Sequence, residues 1–176
     1  MKKKYSIDIN KTDIDRYESN TKQFMQDFIK KNIAHEVKSN VDIYSLLLNS
    51  AVILEKSLLV KDLLKKIKEL DSTEKMQILT SVDDTDHSPL SSVLESGNKD
   101  ILLLFKKFIE DNFTDHKGNI KFNNNDVDKE NILSAIEFSQ FYDLSPRTCL
   151  DNFLKPIYTE ESLKEIIGLV EHMEGN

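Results

Sequence analysis

The sequence predicts an all-α fold built as a stack of short helical hairpins. Three observations carry that expectation. Only four glycines and three prolines punctuate 176 residues, and tryptophan is absent, so few positions break a helix. Apolar residues recur at three- and four-residue spacing along most of the chain, against a background rich in Leu, Ile, Lys and Glu. The apolar stretches are also short and separated by tight turn signals, which suits paired helices better than a four-helix bundle.

The elements follow in order. Residues 1–12 are polar and are expected to be loose. Met25, Ile29, Ile33 and Val37, with Phe24 and Phe28 beside them, mark an amphipathic helix over about 13–38. Ile43, Leu46, Leu47, Ala51 and Leu54 mark another over about 43–54, and Leu59, Leu63, Ile67 and Leu70 a third over about 57–70. Asp71-Ser72-Thr73-Glu74 is a start signal for a short helix to about Ser81, with Asp71 capping. Ser88-Pro89 is a stronger one: the hydroxyl accepts an orphan N–H, and proline at the first position lacks a donor that would be wasted there. That helix stops near Ser96, because Gly97-Asn98 is a stop and restart, and the next runs to about Glu110 with Asp100 in its first turn. The polar segment 111–126 suits a small hairpin with Ile120 and Phe122 facing inward. Helices are expected at about 129–142, at 145–156 (Ser145 cap, Pro146 first) and at 159–173 (Thr159 cap).

Charge and motif content exclude several function classes. A net charge of −7 argues against a phosphate-backbone binder, which needs a concentrated basic surface, so no nucleic-acid partner is expected. Lys2-Lys3-Lys4 and Lys65-Lys66-Ile67-Lys68 are short runs suited to solvated faces. The basic start has no apolar segment behind it, and no apolar run reaches the roughly 18 residues of a membrane span. The single cysteine, Cys149, fits a reducing compartment and a buried position in a helix. His35, His87, His116 and His172 are scattered, with no metal-ligand spacing. No phosphate loop, nucleophile elbow or H-E-x-x-H motif occurs. The expectation is therefore a cytoplasmic, monomeric protein with no catalytic residues, no metal and no cofactor, rather than an enzyme.

Internal repetition is the most informative signal. Around residue 88 the chain reads Ser88-Pro89-Leu90-Ser91-Ser92-Val93, then Gly97-Asn98, then Asp100-Ile101-Leu102. Weaker echoes occur at Asp42–Ala51 and Asp128–Ile136, and Leu47, Leu90 and Leu133 are spaced evenly by 43 residues. The central unit resembles the ankyrin repeat, whose consensus reads T-P-L-H-x-A, a glycine turn and an I-V-x-L-L helix. The resemblance covers one clear unit at about 84–110 and degenerate ones at about 42–68 and 128–156. It implies a short all-α stack of degenerate ankyrin-like helix-turn-helix repeats over 42–158. Residues 13–41 and 159–176 would be its N- and C-terminal capping helices, within one domain over 13–176. The 43-residue spacing exceeds the roughly 33 residues of ankyrin units, which places insertions at 71–81 and 111–123. The histidine of the consensus is Ser91, Ser134 and Leu48 here, so the threonine–histidine hydrogen bonding typical of the family is lost.

The resemblance also implies a function. Ankyrin proteins bind protein partners through hairpin tips and first helices. Carried onto matching positions, the tip residues are Asp86, His87, Lys129 and Glu130, and the first-helix contacts are Ser92, Glu95, Ser96 and Glu137. Such a surface is acidic, which implies a partner with a basic surface. The Lys-, Asn- and Ile-rich composition suits an AT-rich genome, and ankyrin-like proteins of intracellular bacteria and viruses often act on host proteins. An effector delivered into a host cell is expected by that analogy.

An alternative reading is a calcium-responsive helical protein. Asp84, Asp86, Ser88 and Glu95, and again Asp126, Asp128, Glu130 and Glu137, fall at the first, third, fifth and twelfth positions of an EF-hand loop. The position that needs glycine holds Pro89 in one and Asn131 in the other, and proline fixes φ against the required turn.

Overall fold

The computed structural model describes residues 17–33, 39–83, 86–113, 121, 127–138 and 144–175. Helices α1 (Ser19–Ile33), α2 (Asn40–Ile53), α3 (Ser57–Ile67), α4 (Ser72–Thr80), α5 (Pro89–Ser96), α6 (Lys99–Phe113) and α7 (Val127–Phe138) come first. Then come α8 (Pro146–Cys149), which widens into a π-helical turn at Leu150–Leu154, and α9 (Lys164–Glu174). The fold is all-α, and no strand occurs among the described residues. No helix among them is long and apolar enough to cross a membrane. The loose segment 1–12, the ends of the first predicted helix, the end of the one predicted to reach 142, and the hairpin around Ile120 and Phe122 lie outside the described residues.

The local signals in the sequence set most helix starts. The Asp71 carboxylate accepts from Glu74 N, the Ser39 hydroxyl from Asp42 N and the Ser145 hydroxyl from Thr148 N. Each satisfies one of the donors a helix start leaves open. Ser88 forms a reciprocal capping box with Ser91, with Pro89 in the first position. Gly97 ends α5 in the left-handed region at φ 61°, which glycine adopts without the Cβ clash that penalises other residues. The last helix departs from expectation. Thr159 Oγ1 does accept from Ser162 N, but residues 160–163 form tight turns, with Leu163 N reaching both Thr159 O and Glu160 O, and α9 begins only at Lys164. The helix expected over 145–156 also changes pitch. Lys155 N bonds Leu150 O, five residues back, a π-type bond for which the sequence carries no local signal.

Packing arranges the helices in two rows. In one row α2 lies against α5, and α5 against α7. In the other, α3 lies against α6, and α6 against the π-turn that follows α8. Within pairs, α2 contacts α3, and α5 contacts α6. The core runs between the rows: Leu47, Leu48, Leu59, Leu63, Ile67, Leu90, Val93, Ile101, Phe105, Ile136, Leu150 and Leu154 are all fully buried. A single pair of such short helices has too little apolar area to offset its ordering entropy, so each depends on its neighbours. Leu133, expected to match Leu47 and Leu90, is only partly buried, and its neighbours Ile132, Ala135 and Ile136 carry the core contact of α7.

Polar contacts tie the first and last described helices to the rest of the fold. Tyr17, ahead of α1, donates its hydroxyl to Asp62 on α3 at 2.8 Å, and Met25 and Phe28 of α1 join the core. At the other end Arg147 grips Glu174 with two parallel bonds of 2.7 and 2.8 Å, joining α8 to α9. That fork holds the arginine charge above its ordinary range and the Glu174 carboxyl below its own.

Candidate protein-binding surface

Among the described residues between α4 and α5, Asp83, Asp86 and His87 are hydrogen-bonded to one another and form the tip. Asp83 N donates to His87 O at 3.0 Å, Asp86 N to Asp83 O at 3.0 Å, and His87 N to the Asp83 carboxylate at 3.1 Å. Asp86 takes the left-handed conformation at φ 62°, which Asp and Asn tolerate better than other non-glycine residues. Its side chain is exposed. Asn49 of α2 reaches this tip from one side: its amide donates to the Asp83 carboxylate and, at 3.3 Å, to His87 O. Asn131 of α7 donates to Asp86 O from the other side.

Behind the tip lies a buried hydroxyl–carboxylate cluster. Ser88 Oγ, besides accepting from Ser91 N, donates to Asp128 Oδ1 at 2.6 Å, and Tyr158 donates to Asp128 Oδ2 at 3.2 Å. Asp128 has no exposed surface. Burial pushes its carboxyl above the ordinary aspartate range, against the opposing pull of the Ser88, Ser91 and Tyr158 hydrogen bonds. The cluster joins α5, the first turn of α7 and the segment after the π-turn.

The residues expected to contact a partner divide into three groups. Asp86, Glu130 and Glu137 are exposed. His87 and Glu95 are half-buried and meet at 3.3 Å, an ion pair when the imidazole is protonated. Burial raises the Glu95 carboxyl above its ordinary range, opposed by His87, while the Asp128 charge adds to the rise. Lys129 is engaged with Glu165 of α9 at 3.1 Å. Ser96 donates to Val93 O and accepts from Asn98 N, closing the turn between α5 and α6.

Ser92 corrects the expectation that it faces solvent. It is 3% exposed and donates its hydroxyl to Asn49 Oδ1. Helices α2 and α5 pack so closely at this position that a small hydroxyl bridges them, leaving no free surface. Asn49, Asn131 and the structural role of Asp128 were missed. The available signal for Asn49 was a lone amide within the apolar run Leu46–Ala51, which marks a buried hydrogen-bonding site more than a solvated one.

The two calcium-loop candidates fare differently from one another. Asp84 and Asp126 lie outside the described residues. Ser88 is buried as a helix cap. Asp128, Glu130 and Glu137 all lie on α7, where a regular helix replaces the looped backbone that would wrap carboxylates around one ion. No group of three or more His, Cys, Asp or Glu among the described residues is arranged to hold a metal. A cleft lined by Lys129, Ile132, Tyr158, Ser162, Leu163 and Ile166 has an enclosed volume of about 10 Å³, room for about one water molecule.

No family model matches the chain, and neither a curated protein nor a solved structure matches it significantly.

Proposed function

We propose that the chain is a short ankyrin-like stack that works as a protein-binding module, engaging a partner with a basic surface through its tip and first helices. One observation carries this reading: first helices pack on first helices and second on second, joined in the 43-residue register of the sequence echo. Ser92 bonds Asn49, and Asn98 bonds Glu55, and each pair is 43 residues apart. That is how consecutive copies of one unit meet. The Ser88–Ser91 capping box supports it further, since the Ser91 hydroxyl closes the turn at the position where the consensus carries histidine.

In this reading Asp86, Glu130 and Glu137 are the outward acids, and Glu95 joins them at the rim beside His87. Such a surface steers a cationic partner and makes association sensitive to salt. An effector acting on a host protein is the biological setting that the resemblance favours, and no chemistry is assigned to the site.

The test is capture of partners from native or host cell lysate by the wild-type chain and by the triple variant Asp86→Lys, Glu130→Lys, Glu137→Lys. The expected result is a partner retained by the wild type at low salt, released as salt rises, and not retained by the variant. Equal retention by both proteins would overturn the acidic-surface reading.

A further inference from the structure

We propose that Asn49 and Asn131 are positioning residues that hold Asp83, Asp86 and His87 in their presenting arrangement, so that the contribution of Asp86 to partner binding depends on both. This rests on the acidic-tip reading above. The tip carries a non-glycine residue in the left-handed region, a conformation that an unsupported loop would populate only in part. Two amides from the flanking first helices supply the support. Asn49 bonds the start and the end of the tip, at the Asp83 carboxylate and at His87 O, and Asn131 bonds the carbonyl of Asp86 itself.

The chemistry fixes which way the buried amide points. Ser92 Oγ donates to Asn49 Oδ1, and the acceptors at the tip then take its N–H groups. Asn49 is 1% exposed, so its hydrogen bonds are shielded from competing water. The tip is thereby held by the unit before it and the unit after it. A surface held in its bound form loses little freedom on association, and a shift of either neighbouring helix would move Asp86. The contact is therefore a property of three consecutive first helices rather than of one loop.

The experiment is a double-mutant cycle read by fluorescence anisotropy, with a labelled oligo-arginine peptide as the probe at low salt. The proteins are the wild type, Asp86→Asn, Asn49→Ala, Asn131→Ala and the two doubles that combine Asp86→Asn with each alanine. Asparagine tolerates the left-handed region as aspartate does, so Asp86→Asn removes charge and leaves the backbone in place. In the wild-type background it should weaken binding by about 2- to 5-fold, the range of an exposed charge pair. Asn49→Ala and Asn131→Ala should each weaken binding to a similar degree. Adding Asp86→Asn to either should then change it by less than about 1.5-fold, because a displaced carboxylate has little left to lose. A full Asp86→Asn effect in both alanine backgrounds overturns the positioning role and leaves the acidic-tip reading intact. No effect of Asp86→Asn in the wild type overturns the acidic-tip reading and the proposal with it. Should Asn49→Ala fail to fold, the Asn131→Ala cycle decides alone, together with exchange of the His87 amide, which should quicken in that variant and would stay unchanged if the clamp were idle.

Discussion

Removing the carboxyl of Asp128 separates the hydrogen-bonding role of that group from the cost of burying its charge. In Asp128→Ala the Ser88 and Tyr158 hydroxyls lose their acceptor, at 2.6 and 3.2 Å respectively in the wild type. An orphaned buried donor costs about 1–3 kcal/mol. Ser88 can turn toward Ser91 Oγ, already 3.2 Å away, and loss of the buried charge returns part of the cost. The net expectation is a loss of about 2 kcal/mol at neutral pH. Asp128→Asn keeps one acceptor for Ser88 and removes the charge, so it should stay within about 1 kcal/mol of the wild type. The pH dependence has a definite sign. The folded carboxyl lies above its unfolded value of 3.8, so the folded state binds the proton first. Its stabilising contribution is complete below pH 3.8 and is lost as pH rises through the folded value. Wild-type stability relative to Asp128→Asn should therefore fall with rising pH, by at most about 1.4 kcal/mol per pH unit. Urea unfolding of all three proteins between about pH 4 and pH 8, at constant slope, measures both effects. Wild-type stability relative to Asp128→Asn that is flat in pH, or that increases as pH rises, would refute the reasoning. So would an alanine variant as stable as the wild type.

Three further substitutions probe the turn after α5 and the core. Gly97 sits at φ 61°, so Gly97→Ala should cost about 1–2 kcal/mol and lower the melting temperature by a few degrees; an unchanged melt would mean that the turn relaxes freely. Leu47 is fully buried and Leu133 only partly, so Leu47→Ala should cost about 2–5 kcal/mol and Leu133→Ala clearly less. Equal losses by denaturant titration would mean that the two positions are equivalent in the core after all.

Much of the fold was legible because it is written in local chemistry. Asp71, Ser88, Ser145 and Gly97 act on backbone groups within three or four residues of themselves, and each does in the structure what its spacing implies. The apolar stripes of α2 and α3 gave those helices and their buried faces for the same reason: helical periodicity is a short-range property. Where the chain departs from its own local pattern, the cause is distant. The late start of α9 and the π-turn after Cys149 lie where α6, α8 and α9 pack together, and no nearby residue announces them.

The candidate surface shows the same division. Residue type and the positions implied by the resemblance sufficed to expect Asp86, Glu130 and Glu137 at the surface, because unpaired charged side chains stay in water. Sequence could not tell that Ser92 is inward, that Lys129 is engaged by Glu165, or that Asn49 and Asn131 hold the tip. Those facts depend on contacts between residues tens of positions apart, such as Ser92 with Asn49 and Asp86 with Asn131. The sequence by itself determined helices, caps, turns and the sign of the surface, since these follow from neighbours along the chain. Only the tertiary structure decided which polar groups are buried and paired, because that depends on how closely one helix settles against the next.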